Sequence, residues 1–414
     1  MMYSLPERET LLLRLLSPTP PLNGATRAGF DGDDWDAVRG IVRQHRLGPL
    51  LHWQLTRTRP DLPIPAGIRD ELAQSLRRST VRSLRLQREL ILIHRLLTEA
   101  GIPYQALKGA FLAFHVYPNA GTRPMRDLDI LVPREQALRA FDVLLAGGLV
   151  RPAMYQGSPE AQIEIRNHLP PLHAASGRVT VEVHARLQNP DVLVADAVDL
   201  SETAEYWQRT IRRRTAGERI AFPDPTDLLL HLILHALDHR FNNGPLTLSD
   251  IGYLVQSETI DWTSFWQRAS QQYCVRSCWL TLGLVERYWG TLAIDWPQQC
   301  PSDRESAQAL ETAAALMLRD YRTPSIAALA RIGQQQASVL AKLGLLLRRV
   351  FPTRTTIAAA YPVRAKSARV FLFYLPHIWG LVSRQLPYIL NPRLRAHFSD
   401  DLQKLEDLER WLAD

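Results

Sequence analysis

In the stretch Leu107 to Val132, LKGAFLAFHVYPNAGTRPMRDLDILV, two carboxylates stand two residues apart among alternating apolar positions. Side chains two apart on a β-strand share a face. Asp127 and Asp129 are therefore expected to project together, while Leu128, Ile130 and Val132 turn toward a core. Paired carboxylates raise each other's pKa unless a cation neutralises them. Hard oxygen ligands held close together suit Mg²⁺, which takes one or two carboxylates and substrate phosphates. D-x-D alone is weak, because it recurs by chance in loops. A second acidic strand strengthens it. Arg178 to Arg186, RVTVEVHAR, places Val179, Val181 and Val183 on one face and Thr180, Glu182 and His184 on the other. If the two strands are neighbours, Glu182 joins the Asp pair. Such a cluster supports two-metal phosphoryl transfer, the third acid helping to hold the catalytic ion and accepting the attacking hydroxyl's proton. His184 is then either a partner that orients the ligands or a structural hydrogen-bonder.

Leu107-Lys108-Gly109, Tyr117, Arg123, Asp127-Leu128-Asp129-Ile130-Leu131-Val132 and Glu182-Val183-His184 together resemble the uncharacterised bacterial nucleotidyltransferase family of the DNA polymerase β superfamily. The likeness is anchored between Leu107 and Arg186 and weakens toward Gln256. It implies an α+β fold: a small mixed-sheet polymerase β-like core flanked by N-terminal and C-terminal helical regions. It also implies Mg²⁺-dependent transfer of a nucleoside monophosphate from an NTP to an acceptor, with two ions held by Asp127, Asp129 and Glu182. Lys108, Gly109, Arg123, Arg126 and His184 become the nucleotide-binding residues. Lys108-Gly109 stands where many members of the superfamily have Gly-Ser, and the third acid is Glu182 rather than Asp; both departures are shared with the uncharacterised family. The physics of the turn agrees. Gly109 lets backbone approach an anion, and a helix beginning at Ala110 offers free N–H groups to phosphate. Lys108 supplies a mobile charge, while Arg123 and Arg126 can grip a triphosphate in a fork.

These residues need elements to hold them. Residues 1–100 read as an N-terminal helical region, with LLLRLL, a segment opening at Asp33 or Asp34, and a long pattern from Ala66 to Ala100 that Gly101 ends. Residues 101–223 read as the nucleotidyltransferase core. Within it Ile102 to Leu107 is a strand, and Ala110 to Val116 and Pro133 to Gly147 are helices. His168 to Ala174 pairs with Arg178 to Leu187, and a second hairpin turns at Ala216-Gly217. Residues 224–300 read as helices packed on that core. There PTDLLLHLILHALDHR sets His231, His235 and His239 at successive i,i+4 positions. A zinc site would need further ligands. The stripe is expected beside the catalytic sheet, facing the nucleotide or pairing with Asp250.

Residues 301–414 form a basic C-terminal helical region. Between Asp320 and Asp400 there is no acidic residue, and aromatics punctuate VFLFYLPHIWGLVSRQLPYIL. Pro376, His377 and Arg384 interrupt that run, so a spanning helix is not expected. Packing of Val370 to Leu390 within the helical region, with its large side chains buried, is the favoured expectation; peripheral membrane contact through 370–390 and nucleic-acid binding are the alternatives. A length of 414 residues implies two or three structural units, and a net charge of +7 favours anionic partners without choosing among nucleotide, RNA and membrane. Three cysteines are too few for a disulfide framework, and Cys274 and Cys278 read as buried thiols one helical turn apart. Charges at Glu7, Arg8, Glu9 and Arg14 break any leader pattern, which points to a cytoplasmic protein, peripheral at most to the membrane's inner face. The acceptor stays open among small molecule, peptide and RNA. Three functions compete: a nucleotidyltransferase of a polysaccharide or peptide natural-product pathway, a toxin-like tRNA modifier, and a non-catalytic nucleotide-binding accessory protein.

Overall fold

The computed structural model describes residues 5–19, 32–58, 63–154, 157–190, 198–297, 304–319, 344, 347–390 and 392–413. It opens with helices α1 (Glu7–Arg14), α2 (Gly32–Gln44), α3 (Gly48–Arg57) and α4 (Ala66–Glu99). Asp33 and Asp34 lie in the first turn of α2, where the helix dipole favours negative charge. In α4, Ser79, Ser83, Leu86, Leu90, Ile93 and Leu97 recur every three or four residues and form one buried stripe. Gly101 at φ 65° ends the helix, as its position suggests.

The central sheet has the order β1-β2-β4-β3, built from β1 (Gln105–Ala106), β2 (Asp127–Leu131), β3 (Leu172–His173) and β4 (Thr180–His184). Between β1 and β2 run a single turn of α-helix, α5 (Gly109–Phe111), and a π-helical turn, Leu112–Val116. α6 (Ala137–Ala146) and α7 (Pro159–Ile165) separate β2 from β3. β1 runs antiparallel to β2, β2 parallel to β4, and β3 antiparallel to β4, so the sheet is mixed. The expected strand at Ile102 to Leu107 contracts to two residues because the chain turns off at Lys108; Leu107 N still donates to Asp129 O at 2.9 Å. Leu128, Ile130, Val132, Val179, Val181 and Val183 are all buried, confirming which way each strand faces.

After α8 (Ala204–Gln208), strands β5 (Ile211–Thr215) and β6 (Glu218–Phe222) form a separate hairpin. Its turn holds Ala216 at φ 48° and Gly217 at φ 97°, the left-handed pair that matches the twist of a tight hairpin. Helices α9 (Pro225–Asp238), α10 (Leu246–Ser257), α11 (Trp262–Gln271), α12 (Val275–Tyr288) and α13 (Arg304–Leu318) follow. Asp224 caps α9 by accepting from Thr226 N, and Pro225 takes the first turn, where no N–H is needed. Cys274 and Cys278 are buried thiols with sulfurs 3.8 Å apart; Cys300 lies outside the described residues. Then come α14 (Arg354–Ala360), α15 (Tyr374–Leu390) and α16 (Pro392–Ala413). Near its end α16 returns to the main core, where Trp411 is buried beside Trp279 and under Arg276. One apolar core runs from Leu5 in the N-terminal segment to Trp411.

Burial of the large side chains between Val370 and Leu390 holds at Val370 and fails at Phe371, Leu375 and Trp379, which stand on the surface. Among the described residues no helix is long and apolar enough to cross a membrane.

Candidate active site

The parallel pairing of β2 with β4 decides the site. Asp129 lies opposite Glu182, Asp127 opposite Thr180, and Leu131 opposite His184. Ligand atoms of Asp129, Glu182 and His184 consequently lie within 4.8 Å of one another, a group able to share one ion. His184 Nε2 donates to Asp129 Oδ1 at 3.2 Å and stands 3.8 Å from Glu182 Oε2. Asp127 is further along the strand, outside that tight group. His184 thus sits inside the acid cluster rather than behind it.

Lys108 closes the cluster from the side. Its Nζ lies 3.2 Å from Asp129 Oδ2, with both side chains mostly buried. Its backbone is held at φ 37° and ψ −102°, a conformation that costs a side-chain-bearing residue about 1–3 kcal/mol. Gly109 lies tight behind it: a Cβ there would come within 2.8 Å of Arg123 Nη1 and 3.3 Å of Met125. Close approach is why a glycine follows the lysine.

The electrostatics separate the carboxyls. Burial, then the charges of Asp129 and Glu182, push Asp127 up from 3.8 to about 7. Burial would raise Asp129 as well, but the Lys108 ammonium and the His184 hydrogen bond outweigh it and hold that carboxyl well below its ordinary range. Burial and the Asp129 charge raise Glu182. Burial lowers His184 despite its bond to Asp129, which favours the neutral imidazole that metals bind. A metal-free cluster of this kind therefore stores repulsion that a divalent cation would relieve.

A cavity of ≈ 640 Å³ opens over the cluster, lined among others by Lys108, Arg126, Asp127, Asp129, Glu182 and His184. Arg166, Asn167 and His168 form another part of its wall, and His235 and His239 of α9 another. His45 and Arg46, from the α2–α3 connection, also reach it. Sequence reading missed His45, His168 and the Asn242-Asn243 pair in this wall, since none belongs to a spaced motif; only contact across the fold reveals them. His235 and His239, their rings 4.6 Å apart, line the same cavity as the sheet's acids, while α9 itself packs mainly on α10, α11 and α12. His231 is deeper, and neither of its ring nitrogens has a partner among the described residues.

Asp250 does not pair with that stripe. Its Oδ1 accepts from Tyr117 Oη and Arg123 Nε, and its Oδ2 from Arg123 Nη2, each at 2.7 Å. One edge of the Arg123 guanidinium, Nε with Nη2, is thereby committed to Asp250 of α10, leaving Nη1 against the Gly109 turn. Arg123 braces the Gly109 turn and also lines the cavity, and Arg126 is exposed at the cavity rim.

A small mixed sheet presenting clustered carboxylates beside a cationic turn suits chemistry on phosphates. The chain belongs to the uncharacterised nucleotidyltransferase family, which matches residues 31–290. That match takes in α2 to α12, and so every element that lines the cavity. Neither a curated protein nor a solved structure matches the chain.

Proposed function

We propose that this chain is a divalent-metal-dependent nucleotidyltransferase with a polymerase β-like core, moving a nucleoside monophosphate from an NTP to an acceptor and releasing pyrophosphate. The observation that carries the reading is the pairing of Asp129 with Glu182 across parallel strands, with Lys108 over Asp129 and Asp127 beside them. Asp129 and Glu182 would hold Mg²⁺ or Mn²⁺, with Asp127 joining when the nucleotide brings its own charge; the imidazole of His184 widens the choice beyond Mg²⁺. Such an ion supplies charge neutralisation at the transferring phosphoryl oxygens. Lys108 exchanges Asp129 for the NTP phosphates, Arg126 meets them from the rim, and the Gly109 turn allows their approach. Glu182, the third acid of the cluster, would also accept the acceptor hydroxyl's proton.

The test is binding and turnover of α-labelled NTPs with Mg²⁺ or Mn²⁺, with cell extract as the source of acceptor. Label should move to a product with release of pyrophosphate, and Asp129→Asn should abolish transfer. Lys108→Ala should weaken NTP binding about tenfold, the scale of one charge-assisted contact. Metal-independent NTP binding that Asp129→Asn leaves intact would overturn the reading.

A tRNA acceptor is favoured by one further feature. Arg77, Arg78, Arg85 and Arg178 line a groove that reaches Thr180, the residue paired with Asp127. Steep salt dependence of tRNA binding, weakened by Arg78→Glu with Arg85→Glu, would support this acceptor over a small molecule.

A further inference from the structure

The segment from Leu347 to Ser383 is an ordered unit attached to the core through α7. Ser158 N donates to Ala358 O and Gln162 Nε2 to Ala359 O, each at 2.8 Å, and Ala161 packs with Ala358 and Ala359. Inside the unit Tyr374 Oη donates to Pro352 O at 2.6 Å, and His377 Nε2 lies 3.2 Å from Arg349 O. Those two contacts fix which way α15 faces. With Tyr374 and His377 turned inward, Leu375, Trp379 and Val382 fall on the opposite side at spacings of four and three. Leu372 and Phe371 precede them. Their exposures are large: Phe371 54%, Leu372 69%, Leu375 75%, Trp379 73% and Val382 48%. A soluble surface tolerates single apolar residues, but a contiguous ordered stripe of this kind marks an interaction face.

Charge chooses the partner. Arg354, Lys366 and Arg369 are exposed in the stripe's own segment, and no acidic residue occurs between Asp320 and Asp400, whereas Arg364 is turned toward Glu160 of α7. The Arg354 guanidinium stacks over the exposed Phe371 ring at 4.6 Å, joining the cationic and apolar parts of the face. An apolar helix face rimmed by arginine and lysine suits an interface where acyl chains meet anionic headgroups. A single-stranded nucleic acid would use aromatic platforms, whereas Leu372, Leu375 and Val382 offer no ring for a base.

We propose that this face, formed by 368–383 with its basic flanks, docks the protein peripherally on a bilayer containing anionic lipid. Leu372, Leu375, Trp379 and Val382 enter the acyl boundary, and Arg354, Lys366 and Arg369 lie at the headgroup phosphates. Docking does not depend on the proposed catalytic activity.

Flotation of the full chain with phosphatidylcholine vesicles, with and without one third phosphatidylglycerol, tests this at about 50 and 500 mM salt. The chain should float with the anionic vesicles at low salt and less at high salt. Leu375→Glu with Trp379→Glu should reduce partitioning at least about tenfold, because both apolar contacts are lost. Lys366→Glu with Arg369→Glu should remove the preference for anionic lipid. Both pairs lie on the surface, and thermal melts matching wild type establish that they fold. Absence of flotation at low salt, or flotation unaffected by Leu375→Glu with Trp379→Glu, would overturn the proposal. So would a vesicle-independent dimer dispersed by the same pair, which would give the stripe to a second copy of the chain, or full displacement from vesicles by single-stranded RNA.

Discussion

Asp127 and Asp129 stand two positions apart in sequence and shift in opposite directions in the fold, because Lys108 and His184 reach Asp129 and not Asp127 closely. The consequence is a pH dependence with a definite sign. Asp127 is raised from 3.8 to about 7, so the folded chain keeps a proton that the unfolded chain releases near pH 4. Stability from this group is lost as pH rises from about 4 through about 7. Asp129 is depressed and acts oppositely, stabilising above its ordinary range and losing that contribution only in stronger acid. In chelator, wild type should therefore lose about 2 kcal/mol of stability relative to Asp127→Asn between pH 5 and 8, the buried histidines contributing equally to both proteins. Asp127→Asn should be the more stable of the two at pH 8 and should abolish transfer. A calorimetric series at several pH values on wild type and Asp127→Asn checks this, and Mg²⁺ or Mn²⁺ should stabilise wild type at pH 8 more than Asp127→Asn.

At the scale of elements, β2 and β4 present the acids and α10 stiffens the loop that leads into β2. Tyr117, Arg123 and Asp250 form a buried network that ties the end of the π turn and the approach to β2 onto α10. Removing the carboxylate leaves a buried guanidinium without its partner. Asp250→Asn should therefore cost about 3–5 kcal/mol in denaturant unfolding, while Tyr117→Phe should cost only about 1 kcal/mol. The same logic recurs at Asp227 in α9, which accepts from Arg209 and Arg268 at 2.7 Å each and holds the segment before β5 and α11 to that helix. Such pairs were not legible from spacing, since Arg123 and Asp250 are 127 residues apart.

At the scale of the whole molecule, helices from both ends of the chain complete what the sheet begins. His45 and Arg46 bring the N-terminal helices to the cavity. The basic C-terminal unit leans on α7, whose far end runs into Arg166, Asn167 and His168 in the cavity wall. Its seat is tight: a Cβ at Gly157 would stand 1.9 Å from the Ala359 carbonyl oxygen. Backbone cannot yield as a side chain can, so Gly157→Ala should lift α14 from α7. The expected readout is faster proteolysis near Arg354 with near-normal protection of the central sheet. Equal protection at both places would mean that α14 has another anchor.

The sequence by itself determined the strand faces, the hairpin at Ala216-Gly217, the buried cysteine pair and the acids that belong together, because alternation, turn chemistry and helical spacing are local properties. Its likeness to the nucleotidyltransferase family rested on the same short stretches. Only the tertiary structure decided that Asp129 rather than Asp127 faces Glu182, that His184 enters the cluster, and that Arg123 spends its fork on Asp250. Those outcomes depend on strand register and on contacts between residues far apart in the chain, which no local pattern encodes. The exposed stripe on α15 has the same origin: amphipathic spacing states that a helix has an apolar face, and only its neighbours decide whether that face is covered.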